Sequence, residues 1–386
     1  MRRAESIPIG SALSEIFDLG AGSLVGVVKD NFDIAGLPTV MGSRAFAQAA
    51  PANCHAEVVD QLITGGCRIL GRAKMHELAF GVSGINAWQG TPFNPNFPDL
   101  IPGGSSSGSA AAVANGSVDF AIGTDTGGSI RQPAACCGVI GFKPTFGHVS
   151  HKGVHPERSS LDCIGVFART MTTVEQVAAI IDPDFVPAPL PAITTIGIVS
   201  TDADAEVSDA FFEVIARTGL QAKIISLPNM AEAFRAGMTI FSAEMWQAFG
   251  AEADRFNEIG EDVAVRLRAA ATITLDEVAE AEEVRTRFTA EVDEALDDIA
   301  ILALPTLPQV PPTLAEAERG QTLLRLTQYV RPFNLSGHPA LSLPIITAGG
   351  LPAGLQLIGR KHHDAQLCAV ARQAEGALIK IERQAA

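Results

Sequence analysis

Apolar residues in the first part of the chain cluster in short runs closed by glycine or charge. Residues 24–28 form one such run, ending in Lys29-Asp30, which predicts a buried strand with polar groups at its C-terminal tip. Residues 55–64 predict a helix, and residues 67–70 predict the next strand after the Gly65-Gly66 break. Residues 81–104 are rich in Gly, Asn and Pro with no sustained period, and predict a loop long enough to be functional. Residues 107–115 are small and Ala-rich, with serines before them and Gly116 after, so they predict a helix with an N-cap and a C-terminal stop. Strands are predicted at 120–123 and 139–142, on either side of a second Gly-rich turn.

Pro183, Pro187, Pro189 and Pro191 each remove a backbone donor and fix φ, which marks a surface connection. Beyond it, strands at 196–199 and 223–226 flank a helix at 206–218. Residues 229–298 read as largely helical and acidic, and strands return at 299–304 and 340–346. With no internal repeat and no low-complexity linker, the expectation is one domain over residues 1–386. It has a core at about 24–170, a variable, largely helical region at about 185–298 and a return to the core at about 299–386.

Composition narrows the function classes. A chain of 386 residues, 47% hydrophobic and 18% charged, buries a large core and lies far from the disordered range. A net charge of −15 with no basic cluster argues against nucleic acid as partner, and does not favour a lipid surface. Met1-Arg2-Arg3 leads into Ala, Glu and Ser rather than an apolar stretch, so no signal peptide is expected. No run approaches the ~18–20 apolar residues of a membrane span. The 6 cysteines are scattered and read as free thiols of a cytoplasmic protein. There is no HExxH, the His151/His155 pair encloses Gly153, and His362-His363 suits a solvated turn, so no metal is expected.

Candidate chemistry concentrates in residues 101–145. Ser129 follows Thr126-Gly127-Gly128, where a glycine pair lets backbone N–H groups converge beside a hydroxyl, as an oxyanion hole requires. Ser105 follows Gly103-Gly104 at the mouth of the Ala-rich helix, where free N–H groups favour developing negative charge. No histidine falls in this stretch to take a proton, but a lysine held neutral by burial serves as well. Lys29 alone among the lysines ends a strongly apolar run with an aspartate beside it. Asp125 and Arg131 read as a pair that holds the loop. Gly104 to Gly108 also satisfies GxSxG, with Ser106 as nucleophile, but Pro102 makes the strand required before such an elbow improbable. Neither a P-loop nor an SxxK pair occurs.

Taken together, GGSSSGS at 103–109 and GTDTGGSIRQPA at 123–134 resemble the amidase signature family. Lys29-Asp30-Asn31 with Gly36, GFKPT at 141–145, SSLD at 159–162 with Gly165, FNLSGHPA at 333–340 and GLPAGLQL at 350–357 extend the likeness. Within the family the chain looks closest to small monofunctional amidases such as the indoleacetamide hydrolase group. The resemblance implies an α/β fold, a single amidase-signature domain with a central mixed β-sheet covered by helices on both faces. It implies Ser129 as nucleophile, Ser105 as the bridging residue, often on a cis peptide, and Lys29 as base. The N–H groups of Thr126, Gly127, Gly128 and Ser129 would form the oxyanion hole, with Ser106, Asp125 and Arg131 in support.

The expected substrate is a small-molecule amide, uncharged or aromatic, with no cofactor. A homodimer is the macromolecular association left open. Alternatives are a glutaminase-type subunit of a tRNA-dependent amidotransferase, a urea- or carbamate-type hydrolase of the same fold, and a non-catalytic scaffold. Phe241, Trp246 and Phe249, at near-helical spacing, together with Trp88 and His151 or His155, are candidates for the substrate pocket, although an amphipathic core helix explains the first three as well.

Overall fold

The computed structural model describes residues 9–189, 195–255, 257–319 and 323–385. Pro191 and the Met1-Arg2-Arg3 start lie outside these residues. Strands β1 (Leu13–Gly20), β2 (Leu24–Lys29), β3 (Cys67–Ala73), β4 (Phe120–Asp125), β5 (Ile140–Lys143) and β6 (Cys163–Ala168) build one half of a single sheet. The other half is β7 (Thr195–Val199), β8 (Gln221–Ile225), β9 (Ile301–Pro305), β10 (Ala340–Ile346) and β11 (Pro352–Gly359). The 11-stranded sheet runs β1-β3-β2-β4-β6-β5-β10-β11-β9-β7-β8. It is mixed: β2 is parallel to β3 and β4, and β7 to β8 and β9, while the remaining pairs are antiparallel.

Helices α1 (Glu57–Thr64), α2 (Ser107–Ala114), α3 (Arg131–Cys137), α4 (Met171–Ile181), α5 (Ala205–Thr218) and α6 (Met230–Phe249) come first in the chain. They are followed by α7 (Glu261–Ala270), α8 (Leu275–Ala295), α9 (Leu314–Glu318), α10 (Pro332–Leu335) and α11 (Asp364–Ala385). The period-2 alternation of β9 shows how two layers form on one sheet. Ile301 and Ala303 pack into the cluster with α4, α5 and α11, whereas Leu302 and Leu304 pack into the cluster with α6, α7 and α8. Val27 and Val28 divide in the same way, between the α2–α3 cluster and the α1 cluster. Among the described residues, no helix is long and apolar enough to cross a membrane.

Most predicted elements appear within a few residues of their expected ends, including β2, α1, α2, β4 and α5. The second Gly-rich turn differs. It contains α3, because Pro133 falls in the first helical turn, where a missing N–H is harmless, and Gly138 closes the helix at φ 68°. The serines before α2 do not cap it, since the Ser106 hydroxyl donates instead to the Thr124 carbonyl at 3.2 Å.

Gly26 sits opposite Phe120 in the β2–β4 ladder, and a Cβ there would fall 2.3 Å from the Phe120 ring. Gly26→Val is therefore expected to destabilise the protein by about 1–3 kcal/mol through overpacking. Urea unfolding of the variant against the parent measures this; equal midpoints would contradict the packing argument.

Candidate active site

The parallel pairing of β2 with β4 sets Val28 against Ile122, so Lys29 leaves its strand beside Thr124. The Lys29 ammonium is fully buried and donates to Ser105 Oγ at 2.8 Å and to Thr124 Oγ1 at 2.8 Å. Neither acceptor carries charge. Desolvation consequently dominates and pushes the Lys29 pKa down to about 7, against the opposing pull of Asp162 and Asp125 through space. Ser105 is itself buried, and the Gly104–Ser105 peptide is cis. The Gly104 N–H donates to Gln132 Oε1 at 2.9 Å, and the Ser106 N–H to the Ser129 carbonyl at 3.4 Å, which fastens this segment to the turn after β4.

That turn is organised by Asp125. Its carboxylate accepts from the N–H groups of Gly128 (2.7 Å), Ile130 (3.2 Å) and Arg131 (3.3 Å). It also accepts from Arg131 Nε (3.0 Å) and Nη2 (2.9 Å) and from Asn334 Nδ2 (2.9 Å). Burial alone would raise the Asp125 pKa, but the Arg131 guanidinium outweighs it and holds the carboxyl well below the usual carboxylate range. Arg131 completes its own donors on the Val330 carbonyl, Gln356 Oε1 and Asn334 Oδ1. The expected Asp125–Arg131 pair is thus present, and it extends to residues the sequence did not single out.

Both glycines of the turn are forced by their neighbours. A Cβ at Gly127 would lie 2.4 Å from Arg331 Nη1, and one at Gly128, where φ is +108°, would lie 2.1 Å from Val330 Cγ2. The Gly128 N–H is committed to Asp125, which removes it from the set expected to face a ligand. Among the described residues the Thr126, Gly127 and Ser129 N–H groups have no such acceptor, and the Ser129 hydroxyl has no hydrogen-bond partner. The Thr126 hydroxyl donates to Asp162 Oδ1 at 2.8 Å, and His151 bonds the other oxygen of Asp162 at 2.9 Å.

Ser129 and Gly127 open on a cavity of about 740 Å³ walled by Phe80, Met238, Phe241 and Ile273, with Arg331 also in its lining. Of the expected pocket residues, Phe241 lines it; Phe249 is buried in the same core cluster as Phe241 and does not line the cavity. Trp88, Trp246 and His155 do not line it, and neither does His151. Trp88 and Trp246 are part-exposed, the latter folded against Gly250 at the end of its own helix, and His155 turns to Asp33 at 3.0 Å. Sequence reasoning missed Thr124, Asp162 and Arg331. The SSLD match covered Asp162, and the register of Asp125 opposite Cys163 is what sets it beside Thr126.

The amidase family model matches residues 21–368. A glutamyl-tRNA(Gln) amidotransferase subunit of Halobacterium salinarum is 33% identical, over 86% of this chain and 90% of that protein. Amidase 1 of Oryza sativa subsp. japonica is 30% identical, over 91% of this chain and 90% of that protein. A crystal structure of an amidase superimposes with a TM-score of 0.85 at 29% identity, covering 92% of this chain and 84% of the other. A mixed sheet of this order, a signature stretch folded around Asp125 and a family match over nearly its whole length make the chain a member of the amidase signature family of hydrolases.

Proposed function

We propose that the protein hydrolyses a small carboxamide with Ser129 as nucleophile, Ser105 as proton bridge and Lys29 as base. The observation that carries this reading is the buried Lys29 ammonium, bonded at 2.8 Å to Ser105 Oγ and with its pKa lowered to about 7. Neutral Lys29 accepts a proton from Ser105, which takes one from Ser129 as Ser129 Oγ bonds to the amide carbon. The tetrahedral oxyanion is met by the Gly127 and Ser129 N–H groups, with Thr126 adjoining. The proton returns through Ser105 to the nitrogen as the C–N bond breaks, and ammonia or an amine departs. Water then adds to the acyl-enzyme by the same relay, releasing the acid and freeing Ser129. The Ser105-to-Ser129 transfer belongs to the proposal; an unbonded Ser129 hydroxyl is free to rotate towards either partner.

The similarity to the amidotransferase of Halobacterium salinarum favours one second reading, in which the ammonia passes to a partner protein. Ammonia release from simple amides by the isolated chain separates the two.

Ser129→Ala is expected to lower kcat by roughly 10⁴-fold or more on a panel of primary amides. Near-normal ammonia release from that variant would sink the assignment. Because burial lowers the Lys29 pKa, the neutral base appears above pH about 7. The kcat/KM of the parent should therefore climb about tenfold per pH unit below that value and level off above it. Lys29→Ala should lose roughly 10²–10⁴-fold at neutral pH. A flat profile from pH 5 to 8 would remove Lys29 from the base role.

A further inference from the structure

Arg331 shares the cavity lining with three other charged side chains, Asp262, Arg266 and Glu318, and its surroundings differ from those of every other buried cation at the site. It is 3% exposed. Its guanidinium lies against the backbone of the nucleophile turn, with Nη1 2.4 Å and Cζ 2.6 Å from where a Cβ of Gly127 would be. Its stem packs on Gly237 of α6, and the Phe241 and Phe234 rings face its Cζ at 5.3 and 5.9 Å. Nε and Nη1 are buried without an acceptor, and among the described residues the side chain makes neither a hydrogen bond nor an ion pair. Asp125, the acid whose charge acts on it through space, is already engaged by Arg131 and Asn334. Of the two acids in the cavity lining, Asp262 is matched by His76 at 3.1 Å and by Arg266 at 3.7 Å, and Glu318 is exposed to solvent. Nη2 is the one nitrogen not enclosed in this way, and a buried guanidinium without acceptors is rare in folded proteins and calls for a ligand that meets it from the cavity.

We propose that Arg331 binds a carboxylate carried by the substrate, so that the site takes anionic amides whose acid group lies a few bonds from the scissile carbonyl. The inference rests on Ser129 being the nucleophile. Gly127 and Ser129 are two residues apart and so at most about 7 Å between Cα atoms, which fits a spacer of about two to four atoms. A guanidinium matches a carboxylate in charge and in its two parallel N–H directions, whereas a neutral amide or aryl group leaves the cation uncompensated. The apolar walls accept the spacer. In this proposal an acid amide takes the place of the uncharged or aromatic amide expected from the sequence.

Succinamate with butanamide, and glutaramate with pentanamide, form pairs of equal chain length that differ in the carboxylate. The protein should favour the acid of each pair by roughly 10–100-fold in kcat/KM, mostly through KM. Arg331→Gln should lower kcat/KM for the acids by roughly 10–100-fold more than for the neutral amides, and Arg331→Lys should recover part of the preference. Thermal unfolding checks that both variants fold. Equal or better turnover of the neutral amides by the parent overturns the proposal, as does an equal loss on both members in Arg331→Gln. Calorimetric binding of the same four amides to Ser129→Ala reads the preference without turnover. A preference for the acids there, with no Ser129-dependent ammonia release by the parent, would mean that the nucleophile reading fails while carboxylate recognition stands. No preference there overturns the carboxylate site.

Discussion

The buried Asp125 carboxylate is the group on which the site's geometry depends. It closes the turn 126–131 on itself through backbone N–H groups, and through Arg131 and Asn334 it ties that turn to a segment two hundred residues later. A carboxylate at such depth is tolerated only when its lone pairs are filled and a cation answers it, and Arg131 and Asn334 meet both conditions. Arg131 also holds the Val330 carbonyl at 2.8 Å and Gln356 of β11 at 2.6 Å. The same ion pair that shapes the turn around Ser129 therefore fixes where Val330 and Arg331 approach Gly127 and Gly128.

Lys29 follows the opposite logic. It enters the core on a strand with buried neighbours and meets hydroxyls rather than acids, so nothing adjacent stabilises its charged form fully. Asp125 and Asp162 both favour the ammonium from a distance, yet Asp125 is neutralised by Arg131, and Asp162 is bonded to Thr126 and His151. The balance leaves a lysine that changes protonation near neutrality. An acid placed directly against its nitrogen would have restored an ordinary structural ion pair.

Much of this was legible in the sequence because the signals were local. The apolar run of β2, the small residues of α2 and the glycine pair before Ser129 each carry their own reason. The helix α3 was hidden, since a glycine pair and a proline in close succession look like a turn until Pro133 is placed in the first helical turn. Pocket residues were less legible because aromatic character says nothing of direction. Trp246 is five residues beyond Phe241, about 140° around the helix, and so points away from the face that Phe241 and Met238 present to the cavity. Trp88 and His155 had no periodic element to orient them.

Arg131 and Arg331 show why the last feature could not be found from sequence. Both are arginines buried to within a few per cent, and both lie beside the signature turn. Arg131 distributes its donors over a carboxylate, two side-chain amides and a carbonyl, so removing it would leave a buried acid alone. Arg331 has packing in place of partners: aromatic faces, a glycine of α6 and the backbone of Gly127. Burial lowers its pKa only to about 10, so it remains charged at neutral pH. Residue type and spacing are the same kind of information for the two; only the completed list of acceptors around each separates a structural cation from one whose partner arrives from outside.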